Sequence, residues 1–230
     1  MFMHKLSPSD FAYLYEECKL CYWLKVKHDI YQPSMPMPGV FSAINTRIQS
    51  TLLNHNLQTL SKELPECKVE IQEGWVESIP VHGTNVYFKG KYDLLARQKD
   101  GGFVLIDLKI SQPNEDKIEK YKTQLAAYKF ALENPKFGKS LPIAKMGLLI
   151  VYPEGVSFKD GKAYLEFPPK WLEVPYDDKG FFEFIKDIDK LLAGPAPDEG
   201  RECKWCKYRH LGDKIAHEQK VEAVQDEIPF

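Results

Sequence analysis

The stretch NVYFKGKYDLLARQKDGGFVLIDLKIS, residues 85–111, decides the fold. Residues 85–97 read as one strand, QKDGG at 98–102 as a hairpin turn signal, and FVLIDLKIS at 103–111 as the next strand. The second strand is nearly all apolar, with Val104, Leu105, Ile106, Leu108 and Ile110, as expected of a buried central strand. Side chains alternate faces along a strand, so Asp107 and Lys109 point the same way. The turn pairs the two strands, and a short register match brings Asp93 beside Asp107.

Two carboxylates on a buried strand pair repel each other and resist burial. A divalent cation removes both objections, and hard, oxygen-seeking Mg²⁺ or Mn²⁺ is the natural occupant. Such an ion lowers the pKa of a bound water and stabilises charge on a phosphate oxygen. Lys109 beside it can orient the water or neutralise developing charge. A D-x-K pair alone is common on half-exposed strands, but the apolar neighbours of Asp107 argue against a solvated face.

Further strands and helices extend in both directions. Residues 115–133 change to helical period, with Ile118, Tyr121, Leu125, Tyr128 and Leu132 on one stripe. Gln124 and Tyr128 are four apart and share a face. Spacing alone makes Tyr128 a core residue, whereas its place directly after the D-x-K strand makes it a site candidate. Upstream, Ser7, Pro8 and Asp10 look like the start of a helix over 7–28, the proline run at 32–40 breaks it, and a second helix follows at about 41–56. KVEIQ and WVESI, within 68–79, read as one strand or two. Residues 145–153 make another apolar strand, AYLEF and WLEVPY short edge strands, and 179–193 a helix ending at Gly194. The order predicts an α/β fold, a mixed central sheet flanked by helices.

The 230 residues are 43% hydrophobic and 28% charged, ordinary for a globular chain. No apolar run is long enough to span a membrane, and MFMHKLSPSDF lacks the apolar core of a secretory signal, so a cytoplasmic protein is expected. The net charge of −2 gives no global support for nucleic-acid binding, although Lys89, Lys91, Lys109, Lys117, Lys120 and Lys122 gather in the middle of the chain. Residues 212–230 read as a charged tail.

Five cysteines, an odd number, argue against a disulfide framework. Four form two C-x-x-C pairs, Cys18 with Cys21 and Cys203 with Cys206, a spacing that lets two thiolates reach one metal. Zinc and an iron–sulfur cluster both use four thiolates, and spacing does not separate them. Cys67 reads as a lone core thiol. Tyr22, Trp23, Lys25 and Lys27 flank the first pair, and Trp205, Tyr208 and Arg209 the second. Such residues suit either base stacking on a single strand or packing around a metal knot.

GKYD, IDLK and QLAAY, in that order, resemble the RecB-like branch of the PD-(D/E)xK nuclease superfamily, which has the restriction-endonuclease-like fold. ECKLCYWLKVK and ECKWCKYRH resemble the cysteine segments at the two ends of that family's domain, so the likeness covers most of 5–211. It is nearest to the CRISPR-associated iron–sulfur exonucleases and their relatives. The resemblance implies a single nuclease domain, 1–211, in which about 5–30 and 198–211 form a cysteine-metal subdomain. It implies metal ligation by Asp93, Asp107 and the Leu108 carbonyl, catalysis by Lys109, and positioning of DNA or the lysine by Gln124 and Tyr128. At Cys18, Cys21, Cys203 and Cys206 it implies an iron–sulfur cluster, 4Fe–4S before 2Fe–2S, with zinc as the alternative. The implied activity is a Mg²⁺- or Mn²⁺-dependent DNA nuclease working on ends or single strands, in CRISPR adaptation alongside its proteins or in repair and recombination. The alternative is a catalytically weak nuclease-like module that binds nucleic acid or protein; a third possibility is a zinc-stapled structural protein. Family members often add a histidine or acid from the second helix. Here Asn45 and Thr46 stand near that place, His55 comes later, and Glu70 on the first long strand is a candidate substitute.

Overall fold

A computed structural model describes residues 3–33, 36 and 38–226, with side chains as far as His217. Its centre is a hairpin of β3 (Val86–Arg97) and β4 (Phe103–Ile110), turned at Gly101 with φ 91°. β4 is buried from Phe103 to Leu108, as its composition predicts. On its other side β4 pairs in parallel with β5 (Ile143–Val151), and β8 (Pro169–Glu173) closes that edge antiparallel to β5. The β4–β5 crossover is α4 (Asp116–Glu133), the usual way to join parallel strands. β2 (Lys68–Glu77) runs antiparallel to β3 as one continuous strand, so KVEIQ and the start of WVESI merge. The mixed sheet flanked by helices is therefore present.

Alternation divides the apolar side chains into two layers. Phe103 and Leu105 face α4 and α5 (Asp178–Ala193), while Val104, Ile106 and Leu108 face α3 (Gly39–Leu52) with Leu52 and Leu57. Asp107 and Lys109 share the α4 side by the same period. α5 presents Phe181, Ile185, Ile188 and Leu192 to that layer. The N-terminal segment completes it with Phe11 and Tyr22, both at most 1% exposed.

Several elements differ from expectation. Strand β1 (His4–Leu6) pairs in parallel with Val86–Phe88 of β3. The helix expected over 7–28 is split into a 3-10 turn (Pro8–Asp10), α1 (Leu14–Glu17) and α2 (Lys19–His28). The break is at Cys18, extended at φ −159°, whose sulfur accepts the Cys21 N–H and caps α2. α3 ends at Leu52, so His55 lies outside it. Within the proline run, Ser34, Met35 and Met37 lie outside the described residues, as do residues 227–230 of the tail. β6 (Gly155–Lys159) and β7 (Lys162–Glu166) form a separate hairpin that takes in most of AYLEF. The expected charged tail is entered by α6 (Lys204–Asp226). After Gly212 its sequence holds good helix formers and no proline until Pro229, so charge does not prevent a helix.

Gly147 of β5 tests the packing between β5 and β8. A Cβ there would lie 2.5 Å from the Trp171 ring and 2.6 Å from the Leu172 carbonyl oxygen. Gly147→Ala should cost about 1–3 kcal/mol and lower the melting temperature by about 2–4 °C per kcal/mol. A thermal melt of the variant checks this.

Candidate active site and four-cysteine centre

The β3–β4 ladder pairs Leu94–Arg97 with Phe103–Ile106 and goes no further. The next pair would set Asp93 against Asp107. Instead the strands part, and Asp93 Oδ2 accepts the backbone N–H of Leu108 at 2.8 Å. Asp107 receives Gln124 Nε2 on Oδ1 at 2.9 Å, and the Lys109 ammonium lies 2.6 Å from Oδ2 as an ion pair. Tyr128, one helical turn beyond Gln124, donates its hydroxyl to the Lys91 carbonyl at 2.8 Å, beyond the reach of the short β3–β4 ladder. The structure thus brings Asp93, Asp107, Lys109, Gln124 and Tyr128 together.

β3 is distorted at this point. Phe88 and Tyr92 face the α4 layer, but past Asp93 that layer is met by Leu95, while Leu94 and Ala96 face α3. The alternation slips by one residue at Asp93. Across the ladder Gln72 pairs with Leu94 and Gly74 with Tyr92, leaving Glu73 and Asp93 unpaired between them. Glu73 has φ 51°, a left-handed conformation that costs a non-glycine residue about 1–3 kcal/mol. Such distortions re-aim side chains, here the Asp93 carboxyl toward β4.

Burial, and then the charge of Asp107, push the Asp93 carboxyl up to about 6; the Leu108 N–H and Lys109 oppose the rise, and Glu73 adds to it. Burial also raises Asp107, against the pull of Lys109 and Gln124. For Lys109, burial is the largest single influence and favours the neutral amine, but the charge and hydrogen bond of Asp107, with Asp93 and Tyr13, together outweigh it, and its pKa stands above the ordinary lysine value. The lysine is therefore a cation beside two carboxyls that are costly to ionise. Gln124 Oε1 is buried with no hydrogen-bond donor on it, and the Lys109 ammonium is the contact of the equally buried Asp107 Oδ2. Carboxylate and amide oxygens in that state fit the donor set of a hard divalent ion. The Leu108 N–H is committed to Asp93, which fixes the backbone at the third expected ligand.

These groups lie in a cleft of about 910 Å³. Lys5, Lys25, Lys89 and Lys91 also line it, with Asp10 and Asp29, and Lys25, Lys89 and Lys91 are ion-paired with Asp10, Glu77 and Glu73. A divalent ion on Asp93 and Asp107 would leave the cleft lysines in excess. Three aromatic residues at the cleft carry no site signal in sequence: Trp75 on β2 is 71% exposed, Tyr31 57% and Tyr13 49%. Tyr13 meets the Tyr121 hydroxyl, and Lys109 sits 4.4 Å from the Tyr121 ring centroid. Tyr121 shares its helical stripe with Tyr128, and its spacing from Gln124 was the one available signal.

The second helix supplies nothing here. Among the described residues none of α3 lines the cleft, and α3 packs in the other apolar layer, behind the sheet from Asp107. Asn45 and Thr46 are thereby removed as candidates. Glu70 is engaged by Arg97, with Nε 2.9 Å from Oε1, and His55 is bonded to the Leu53 carbonyl. Glu73, ion-paired with Lys91 at 2.8 Å, is the further acid whose charge reaches Asp93.

Cys18, Cys21, Cys203 and Cys206 form a second site, buried, with all four sulfurs within 4.8 Å of one another. Leu14, Leu20 and Trp205 pack around them. This compatibility with metal binding follows from two helix starts meeting: Cys18 caps α2 and Cys203 directly precedes α6. Cys67 is apart, buried in the α3 layer, where burial pushes its thiol up to about 12.

Residues 24–211 match the sequence profile of the PD-(D/E)XK nuclease superfamily, and the chain belongs to it. Among solved structures, one described as SSO0001 is similar, at 18% identity over 88% of this chain and 82% of that one, with a TM-score of 0.49. An alkaline exonuclease from Laribacter hongkongensis, LHK-Exo, aligns at 12% identity over 96% of this chain and 94% of that one, with a TM-score of 0.41. No curated protein sequence matches. No helix among the described residues is long and apolar enough to cross a membrane.

The raised Asp93 carboxyl has a consequence for stability. Its folded pKa of about 6 exceeds the model-peptide value of 3.8, so the stability it contributes is full below about pH 4 and is lost as pH rises through 6. In EDTA, Asp93→Asn should therefore melt higher than wild type at pH 7.5, by about 2–4 °C per kcal/mol recovered. The gain should vanish toward pH 4. Melting curves across pH check it; an equal or lower melting temperature at pH 7.5 contradicts it.

Proposed function

We propose that this nuclease-superfamily member is a Mg²⁺- or Mn²⁺-dependent deoxyribonuclease that hydrolyses phosphodiester bonds at DNA ends or in single strands. The observation that carries this reading is the convergence of Asp93, Asp107 and Lys109 on the floor of a lysine-lined cleft. Asp93, Asp107 and the Leu108 carbonyl would hold the ion, which supplies Lewis-acid polarisation and a more acidic attacking water. Water attacks phosphorus in line and the P–O3′ bond breaks; one proton of the water passes through solvent to the leaving 3′ oxygen, and the other stays on, or is lost from, the new 5′ phosphate. Lys109 stays charged beside Asp107 and offsets the charge growing on the phosphoryl oxygens. Gln124 holds the Asp107 carboxylate in place, and Tyr128 holds the Lys91 carbonyl of β3 beyond the end of its ladder with β4. Residues 1–211 act as one nuclease domain on this view.

Exposed Trp75, Tyr31 and Tyr13 beside Lys5, Lys89 and Lys91 support a single-stranded substrate, because unpaired bases stack on aromatic faces while lysines follow the backbone. The motifs' likeness to CRISPR-associated exonucleases supports a role in adaptation, and the superfamily's reach supports repair or recombination equally. A catalytically weak binding module is the second reading, favoured by the lack of any α3 side chain in the cleft.

Asp107→Ala and Lys109→Ala should each lower the cleavage rate by about 10²–10³-fold or more while the circular dichroism spectrum stays native. A labelled single strand with Mn²⁺ provides the assay; full activity in either variant overturns the site, and inactive wild type across metals and DNA forms favours the binding module. Trp75→Ala should weaken single-strand binding by about 5- to 150-fold, the loss of one stacked base, with duplex binding much less affected. Fluorescence anisotropy measures both.

A further inference from the structure

The four-cysteine centre has a geometry that discriminates between metals. The sulfurs of Cys18 and Cys206 are 3.8 Å apart, those of Cys21 and Cys203 3.8 Å, and those of Cys21 and Cys206 3.7 Å. No pair exceeds 4.8 Å. One tetrahedral ion with metal–sulfur bonds of about 2.3 Å places its thiolates about 3.8 Å apart. A cluster interposes inorganic sulfides and several irons, and thiolates on different irons then stand about 6 Å apart. The observed spacings match the single ion.

A cavity of about 230 Å³ opens beside Cys21 and Cys206, but the side at Cys18 is tightly packed. The Gly200 N–H donates to Cys18 Sγ at 3.2 Å, and a Cβ on Gly200 would fall 2.4 Å from the Glu17 carbonyl oxygen. The chain entering α6 is thus pressed against the chain entering α2. Trp205 packs over the group, and the Gln32 amide lies 3.9 Å from Cys203 Sγ.

We propose that Cys18, Cys21, Cys203 and Cys206 hold one tetrahedral zinc ion, in place of the iron–sulfur cluster that the family resemblance implies. Four thiolates fill its coordination sphere and leave no open position, so the ion is structural. It ties α2 to α6 across a sequence separation of 182 residues. α2 carries Lys25, paired with Asp10 at 2.6 Å on the cleft wall, so the ion braces one side of the cleft. Because the spacing of the sulfurs carries this proposal, it stands whether or not the cleft cleaves DNA.

The test is the metal content of the full chain, expressed with both iron and zinc supplied and purified without oxygen. About one zinc per chain, with negligible iron and acid-labile sulfide and no absorbance near 400 nm, is the expected result. About two to four irons per chain with matching sulfide and a brown colour overturns the proposal, as does a chain with free thiols and neither metal. Exchange of the bound ion for Co²⁺ gives a second readout. Intense visible bands at about 600–750 nm, the mark of tetrahedral sulfur ligation, support the site, and the weak spectrum of six-coordinate cobalt overturns it. Cys203→Ser should lower the zinc content; if that variant does not fold, the cobalt spectrum of the unaltered chain still decides.

Discussion

Two buried carboxyls side by side set the terms for everything near them. Had β3 and β4 stayed paired one residue further, Asp93 and Asp107 would oppose each other on a strand pair with no counter-charge between them. The strands separate there, and each carboxylate takes a different partner: the Leu108 N–H for Asp93, Lys109 and Gln124 for Asp107. The slip in alternation at Asp93 and the left-handed backbone of Glu73 belong to the same compromise. Their cost is consistent with a site kept for chemistry at the expense of stability.

The parted strands need support from elsewhere in the chain. β1 continues the sheet along the first residues of β3, and Tyr128 takes the Lys91 carbonyl between β1 and β4. The segment after β1 carries Asp10 and Tyr13 to the cleft, and α2 follows, anchored at its start by the cysteine centre. Cleft and cysteines are therefore linked through one continuous stretch, residues 4–28. Residues at the two ends of the sequence thus shape a site whose acids lie in the middle.

Much of this was legible in residues 85–133. The apolar run of β4 marked it as buried, Gly101 marked the turn, and period two placed Asp107 and Lys109 on one face. Gln124 and Tyr128 were legible as a pair, though only proximity to the D-x-K strand raised Tyr128 above a core reading. Other features depended on contacts distant in sequence. β1 has three residues, too few to show alternation. Good helix formers on both sides hid the break at Cys18, which exists because its sulfur turns toward Cys206. α3 buries only Gln49 and Leu52, and the sequence does not say which face of the sheet it covers, so Asn45 and Thr46 looked better placed than they are. Trp75 and Tyr13 are ordinary residues of a strand and a turn until the fold sets them at one cleft.

The central claim is that Asp93 and Asp107 together bind a divalent ion. A crystal of the protein soaked in Mn²⁺, with diffraction recorded at the manganese absorption edge, tests it most directly. An anomalous peak within about 2.0–2.6 Å of an oxygen of each aspartate, with Lys109 displaced from its close contact on Asp107, is the predicted result. A map with no peak there, and the Lys109–Asp107 pair intact at saturating Mn²⁺, would contradict it.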